Sequence, residues 1–208
     1  MQTNRRKFLQ TTVLAGAAFS ILPSSSLFAQ DKTQKVRLGF IGVGLRGQNH
    51  LDLALRRNDV DVVALCDIQQ RMMDMSLNLV QKAGKPKPQA ILEGPYGYRK
   101  LLENKNIDAV IISTPWEWHT VQCMDAMNAK KIVGCEVITG GTVEECWELV
   151  QTSERTGMPL MMLENVCYRR DVMAVMNMVR QNIFGELIHL QGGYQHDLRE
   201  VKFNDGVK

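Results

Sequence analysis

Hydrophobic positions along the chain change period repeatedly. Val36 to Val43 (VRLGFIGV) is an apolar run too continuous for a half-exposed strand, which predicts a parallel-sheet strand covered on both faces. Gln48 to Arg57 then carries Leu51, Ala54 and Leu55 on one helical face. Val60 to Cys66 predicts a second strand, and the helix after it repeats Met72, Met75, Leu79 and Ala83 before Gly84 and two prolines stop it. Ile107 to Ser113, Ile132 to Cys135 and Pro159 to Leu163 read as further strands, with Val121 to Ala129 as a helix after the first of these. Thr142 begins another helix with Glu145 three residues on, the spacing of a capping box, and Val143, Cys146, Trp147 and Val150 supply its expected buried stripe. Val172, Val175, Met176 and Val179 mark a last helix, closed by Gly185.

Alternation of this kind with right-handed crossovers predicts an α/β fold, a doubly wound parallel sheet, over residues 35–165. Residues 166–208 are expected to hold a connecting helix and one strand, Glu186 to Tyr194. A strand without partners is not a domain, so the chain reads as ending inside a truncated α+β domain.

Composition adds limits. The 208 residues are 45% hydrophobic and 23% charged, which fits a globular core. The net charge of +3 comes from Arg5, Arg6 and Lys7, since no acidic residue precedes Asp31 and the rest of the chain is balanced. A fold-wide grip on nucleic acid is therefore disfavoured, and small-molecule partners are expected. The twin arginine stands before an apolar stretch from Phe8 to Leu22, followed by Pro23 and a Ser/Ala segment. Residues 1–29 thus read as a Tat-type signal peptide cleaved after Ala29, with a polar linker at 30–34. The apolar stretch falls short of the roughly 20 residues that span a bilayer, so the expectation is a periplasmic protein, a client of the Tat export machinery, without stable membrane insertion. Five cysteines, Cys66, Cys123, Cys135, Cys146 and Cys167, lie in apolar segments without Cys-x-x-Cys spacing and read as buried small hydrophobes; neither a disulfide nor a metal is predicted.

Gly42-Val43-Gly44-Leu45-Arg46-Gly47 joins the first strand to a helix. In that context the first glycine permits a tight turn, the second lets backbone approach a pyrophosphate, and the third allows close helix–strand packing. Asp67 ends the second strand twenty residues after Gly47, where a carboxylate accepts hydrogen bonds from an adenosine ribose and repels a 2′-phosphate. The predicted cofactor is NAD. Ser113-Thr114-Pro115-Trp116-Glu117-Trp118-His119 follows a strand at the carboxyl edge of the sheet. Its tryptophans either flank a nicotinamide or sugar ring, with His119 as polar anchor, or pack on the domain while His119 caps the next helix. Glu136-Val137-Ile138-Thr139-Gly140-Gly141 and Glu164-Asn165 follow strands at the same edge, as contacts for a nicotinamide ribose or amide or as ordinary loop chemistry. Tyr194-Gln195-His196-Asp197 could move a proton or be plain surface. Cys167 and Tyr168 have no companion base at a recognisable spacing.

These segments resemble the Gfo/Idh/MocA oxidoreductase family, and within it the branch of glycoside hydrolase family 109. GVGLRGQNH, STPWEWHT, LENVCYRRDVMAVMNMVR and FGELIHLQGGYQHDLR carry the likeness across residues 35–204. The resemblance implies that Leu45 and Arg46 contact NAD beside Gly42, Gly44 and Gly47, that Asp67 holds the ribose, and that Trp116, Glu117, Trp118 and His119 line the nicotinamide side. Glu136, Val137 and Asn165 would complete the cofactor site, and Tyr194 would touch substrate. Ordinary members of the family have Glu-Lys-Pro where this chain has Glu136-Val137-Ile138, and Val137 cannot exchange a proton. The branch is described as cleaving terminal α-N-acetylgalactosamine by a redox-neutral cycle of oxidation, elimination, addition and reduction, with NAD retained. Its Tyr-Pro-Thr-His motif has no match here, which implies catalytic residues beyond Lys208 and an isolated chain that does not turn over. Two other readings stay open: a periplasmic sugar dehydrogenase, and an NAD-binding remnant without activity. A homo-oligomer is also open.

Overall fold

The computed structural model describes residues 35–193 together with 195, 197 and 199. The expected signal peptide, the linker up to Gln34, and Tyr194 lie outside the described residues. The described chain divides after Leu163 into two compact units.

In the first unit the elements alternate. They are β1 (Val36–Ile41), α1 (Leu45–Leu55), β2 (Val60–Cys66), α2 (Gln70–Lys82), β3 (Gln89–Ile91), α3 (Tyr98–Leu102), β4 (Ala109–Ile112), α4 (Trp116–Asn128), β5 (Ile132–Cys135), α5 (Val143–Thr156) and β6 (Leu160–Met162). The six strands form one parallel sheet in the order β3-β2-β1-β4-β5-β6. Strand order reverses between β1 and β4, which opens a crevice at their carboxyl ends where ligands bind in folds of this kind.

The sheet is covered on both faces, as continuous apolar strands require. Phe40 and Leu65 pack with Leu51, Leu55, Met73 and Val80 on one side; Ile41, Cys66, Ile112 and Cys135 pack with Leu101, Cys123, Met127 and Leu149 on the other. Each large side chain so buried contributes about 1.5–3 kcal/mol. The capping box of α5 forms as the spacing predicts: Glu145 N–H donates to Thr142 Oγ1 at 3.2 Å and Thr142 N–H to Glu145 Oε2 at 3.1 Å. Gly157, in the left-handed region at φ 71°, ends the helix.

Several expectations need correction. The strand β3 and the short helix α3 lie in the stretch between Gly84 and Ile107, where periodicity predicts nothing, because three and five residues are too few to show a period. The inner face of α2 is Met72, Met73, Ser76 and Val80, one position round from the predicted stripe, which leaves Met75 exposed. On α5 the packed residues are Leu149, Thr152 and Thr156, while Val143, Cys146, Trp147 and Val150 line an open groove of about 670 Å³ with Gly140, Gly141 and Thr142. Of the five cysteines, Cys66, Cys123 and Cys135 are buried but Cys146 and Cys167 are exposed.

The second unit contains a 3₁₀ turn (Val166–Tyr168) and α6 (Arg170–Arg180). Its predicted strand does not form over residues 186–193, which are irregular. A strand exists only through hydrogen bonds to a neighbour, and none is present among the described residues. No described helix is long and apolar enough to cross a membrane.

Candidate functional site

The turn after β1 is shaped by its glycines. Gly42 has φ 81°, and a Cβ there would lie 2.8 Å from the carbonyl carbon and oxygen of Ser113 at the end of β4. A Cβ on Gly47 would meet the Gly42 carbonyl oxygen at 2.2 Å, so α1 crosses β1 more closely than any side chain allows. Gly44 differs, because a Cβ there would have nothing within 4 Å. It is the open position of the turn, directly before α1.

That helix is left ready for an anion. No side chain caps its N-terminus and no acidic residue stands in its first turn, unlike α5, whose own Thr142 and Glu145 satisfy the first amides. Unpaired amides and the positive end of a helix dipole attract phosphate. The turn is braced from β2: Asp67 Oδ2 accepts from Val43 N–H at 2.7 Å and Oδ1 from Gln69 N–H at 2.8 Å. An ionised carboxylate has about four lone-pair sites, so Asp67 keeps acceptor capacity for ribose hydroxyls. Leu45 is exposed beside it.

Across the crevice, β5 ends in Glu136. The residue is only 8% exposed, yet its carboxylate stays ionised. Burial pushes its pKa up, and hydrogen bonds from His50 and Arg46 more than offset this, leaving it below the usual value. Arg46 Nε donates to Oε1 at 2.7 Å, and His50 Nε2 lies 2.5 Å from the same oxygen. Two hydroxyls nearby are buried without a hydrogen-bond partner, Ser113 Oγ at the end of β4 and Thr139 Oγ1 in the loop after β5. An open glycine, an uncapped helix and orphaned hydroxyls are what a dinucleotide would fill.

Trp116 to His119 form the first turn of α4 rather than a loop, because Pro115 sets the backbone angle for a helix start. Trp116 is 66% exposed and Glu117 is also exposed. Trp118 instead packs on the core and meets Tyr96 edge-to-face, with ring centroids 5.4 Å apart. His119 is 1% exposed, so it is a bolt between two loops rather than a free anchor. Its Nδ1 lies 2.6 Å from Ile138 O and its Nε2 2.8 Å from Thr114 O. Both acceptors are carbonyls, so both ring nitrogens must carry protons for the two bonds to exist. Burial alone would lower the pKa, but interactions with Cys135 and with the two carbonyls raise it to about 9. Cys135 is held below the ordinary thiol value by a hydrogen bond from Cys123 and by His119, against burial; the Cys123 thiol is pushed up.

The structure thus brings Gly42, Gly44, Leu45, Arg46, Gly47, Asp67, Trp116, Glu117, Trp118, His119, Glu136 and Val137 to the carboxyl edge of one sheet. Asn165 belongs to the second unit, immediately before the 3₁₀ turn. Sequence reasoning missed His50, although its place four residues after Arg46 on one helix face was a legible signal. Ser113 and Thr139 lie within the segments singled out in the sequence, but the isolation of their hydroxyls exists only in three dimensions.

Strand order 3-2-1-4-5-6 with an anion-ready helix after β1 defines a dinucleotide-binding, doubly wound domain. Residues 36–164 match the model of the oxidoreductase family with NAD-binding Rossmann fold, and the chain belongs to that family. Residues 168–208 match the glycosyl hydrolase 109 C-terminal domain. A glycosyl hydrolase family 109 protein of Stenotrophomonas maltophilia (strain K279a) is 51% identical over 204 residues, covering 97% of this chain and 44% of that protein. An alpha-N-acetylgalactosaminidase of Tannerella forsythia is 43% identical over 225 residues, covering 100% of this chain and 48% of that one. The chain therefore spans about half the length of the curated relatives it matches. The fold is also that of scyllo-inositol dehydrogenase from Lactobacillus casei, solved with NAD(H) and scyllo-inositol, at a TM-score of 0.64 and 19% identity over 74% of this chain and 43% of that one.

Proposed function

We propose that this chain is the NAD-binding part of a glycoside hydrolase acting on terminal α-N-acetylgalactosamine, exported by the Tat pathway to the periplasm. The observation that carries the cofactor assignment is the open position at Gly44 before an uncapped helix. The names of the relatives support the substrate, and the twin-arginine leader supports the compartment.

In this reading the turn from Gly42 to Gly47, with Leu45 and Arg46, binds the diphosphate. Asp67 orients the adenosine ribose. Trp116, Glu117, Glu136 and Val137 border the nicotinamide half; Asn165 and Tyr194 keep the cofactor and substrate roles that the family resemblance implies for them. The imidazolium of His119 ties the loop after β5 to the start of α4 and so keeps that wall of the crevice rigid. Bound NAD would supply reversible hydride acceptance and return, with no net redox change. Val137 neither gives nor takes a proton, so the residues that do so belong elsewhere in the protein, as the partial coverage of the relatives allows.

The full-length protein is expected to release nitrophenol from p-nitrophenyl α-N-acetylgalactosaminide without accumulating NADH. Stoichiometric NADH would instead establish a sugar dehydrogenase, and NAD binding without turnover on either class a remnant. A second expectation concerns Asp67→Ser, which removes the charge facing the ribose. NAD affinity should fall about tenfold or more, the scale of one hydrogen bond to a charged group, and NADP affinity should rise. Isothermal titration with both coenzymes reads this, and unchanged preference would remove Asp67 from the ribose site.

A further inference from the structure

Arg46 and His50 stand one turn apart on α1, and both address the same oxygen of Glu136. A carboxylate as buried as this one needs partners, since a buried unpaired charge is strongly destabilising. It does not need two on one atom. Meanwhile Oε2 accepts no hydrogen bond among the described residues, and it lies on the side chain that closes β5 at the ligand-binding edge. Two donors are spent on orienting one oxygen while the other is left available.

The two donors are not equivalent. The Arg46 side chain is 42% exposed and belongs to the glycine turn, where a guanidinium prefers a phosphate oxygen once one is present. The His50 side chain is 18% exposed, lies a turn further into the helix, and is too short to follow. In the free protein the pair is redundant. With a diphosphate on the turn, Arg46 is drawn to it and His50 alone keeps Glu136 in place.

We propose that His50 is a positioning residue of the cofactor site: with its proton on Nε2 it holds Glu136 so that the second carboxylate oxygen accepts a hydrogen bond from a hydroxyl or amide of the nicotinamide half. This rests on the NAD reading given above. It makes a demand that a merely structural histidine would not meet, because its effect must be small in the free protein and large in the loaded one.

The test compares His50→Leu with His50→Gln in the full chain by thermal melting without coenzyme and by titration with NAD. The leucine variant is expected to melt within about 2 °C of wild type, since Arg46 still pairs Glu136. Its NAD dissociation constant should rise at least tenfold, about 1.4 kcal/mol. Glutamine keeps an N–H donor, and its affinity should stay within about threefold of wild type. Wild-type affinity in the leucine variant overturns the proposal, as does an equal loss in both variants, which would mean shape rather than the hydrogen bond matters. A leucine variant that fails to fold also overturns it, because Arg46 would then not suffice in the free protein. Failure of wild type to bind NAD at all is a different result, which removes the NAD reading and this inference together.

Discussion

Alanine at Gly44 and alanine at Gly47 are expected to fail in opposite ways. At Gly44 the new methyl group meets no protein atom within 4 Å, so the fold should survive with a loss of at most about 1 kcal/mol from the poorer helix cap. NAD affinity should nevertheless drop about thirtyfold or more, some 2 kcal/mol, because the methyl occupies the space where the diphosphate meets the helix amides. At Gly47 the methyl would stand 2.2 Å from the Gly42 carbonyl oxygen, a backbone atom that cannot swing aside. Helix α1 must shift off β1, and overpacking of this kind costs about 1–3 kcal/mol or more. Chemical denaturation should therefore separate the two variants before any coenzyme is added. Undiminished NAD binding by Gly44→Ala would mean that no phosphate sits on this turn.

His119→Gln is the second large effect. Glutamine cannot reach both Ile138 O and Thr114 O with charged donors, so about 2–3 kcal/mol of stability should be lost at neutral pH. The pH dependence is more specific. A histidine whose folded pKa is raised to about 9 contributes stability that is fully present below its unfolded value near 6.5 and lost as pH rises to about 9. Cys135, whose pKa is depressed, works in the opposite sense over the same window: its contribution is present above the unfolded thiol value and lost as pH falls. The two nearly cancel, because the folded pair and the unfolded pair hold the same number of protons between about pH 7 and 8. The wild-type stability curve should be flat there. Cys135→Ala removes both the opposing thiol contribution and the partner that raises the His119 pKa most, so this variant should lose stability from about pH 6.5 up to a histidine pKa below about 9, held up by the two carbonyls alone. Urea unfolding at a series of pH values decides it, and equal slopes in the two proteins would show that His119 is not the protonated partner described here.

How much was legible in advance varied with distance along the chain. The glycine turn and the α5 capping box were readable because each motif is local: its function lies in backbone shape or in a side chain three residues from the amide it serves. Asp67 stood out by its place at the end of the second strand, but the Val43 amide it holds is 24 residues away and only the fold brings the two together. The buried strands were readable because both faces of this sheet are covered, which removes polar interruptions. The helix faces were less so. Periodicity shows that α5 has an apolar side, but which side packs depends on neighbours, and Leu149 faces the core while Trp147 faces outward. Likewise the sequence left Trp116 to His119 open between a ligand-facing segment and one packed on the domain, and the helix start at Trp116 divides them: Trp118 packs onto Tyr96 and His119 turns inward, while Trp116 stays exposed.

By itself, then, the amino-acid sequence determined the fold class and the glycine turn between the first strand and its helix, since these depend on the order of residues within a few turns of chain. Only the tertiary structure decided that Glu136 shares one oxygen between Arg46 and His50, and that His119 is locked between two carbonyls. The physical reason is that these groups are 86 and 90 residues apart in the first case and belong to three different segments in the second. Hydrogen bonds act over about 3 Å, and no spacing rule foretells which distant segments the folding of a sheet will bring that close.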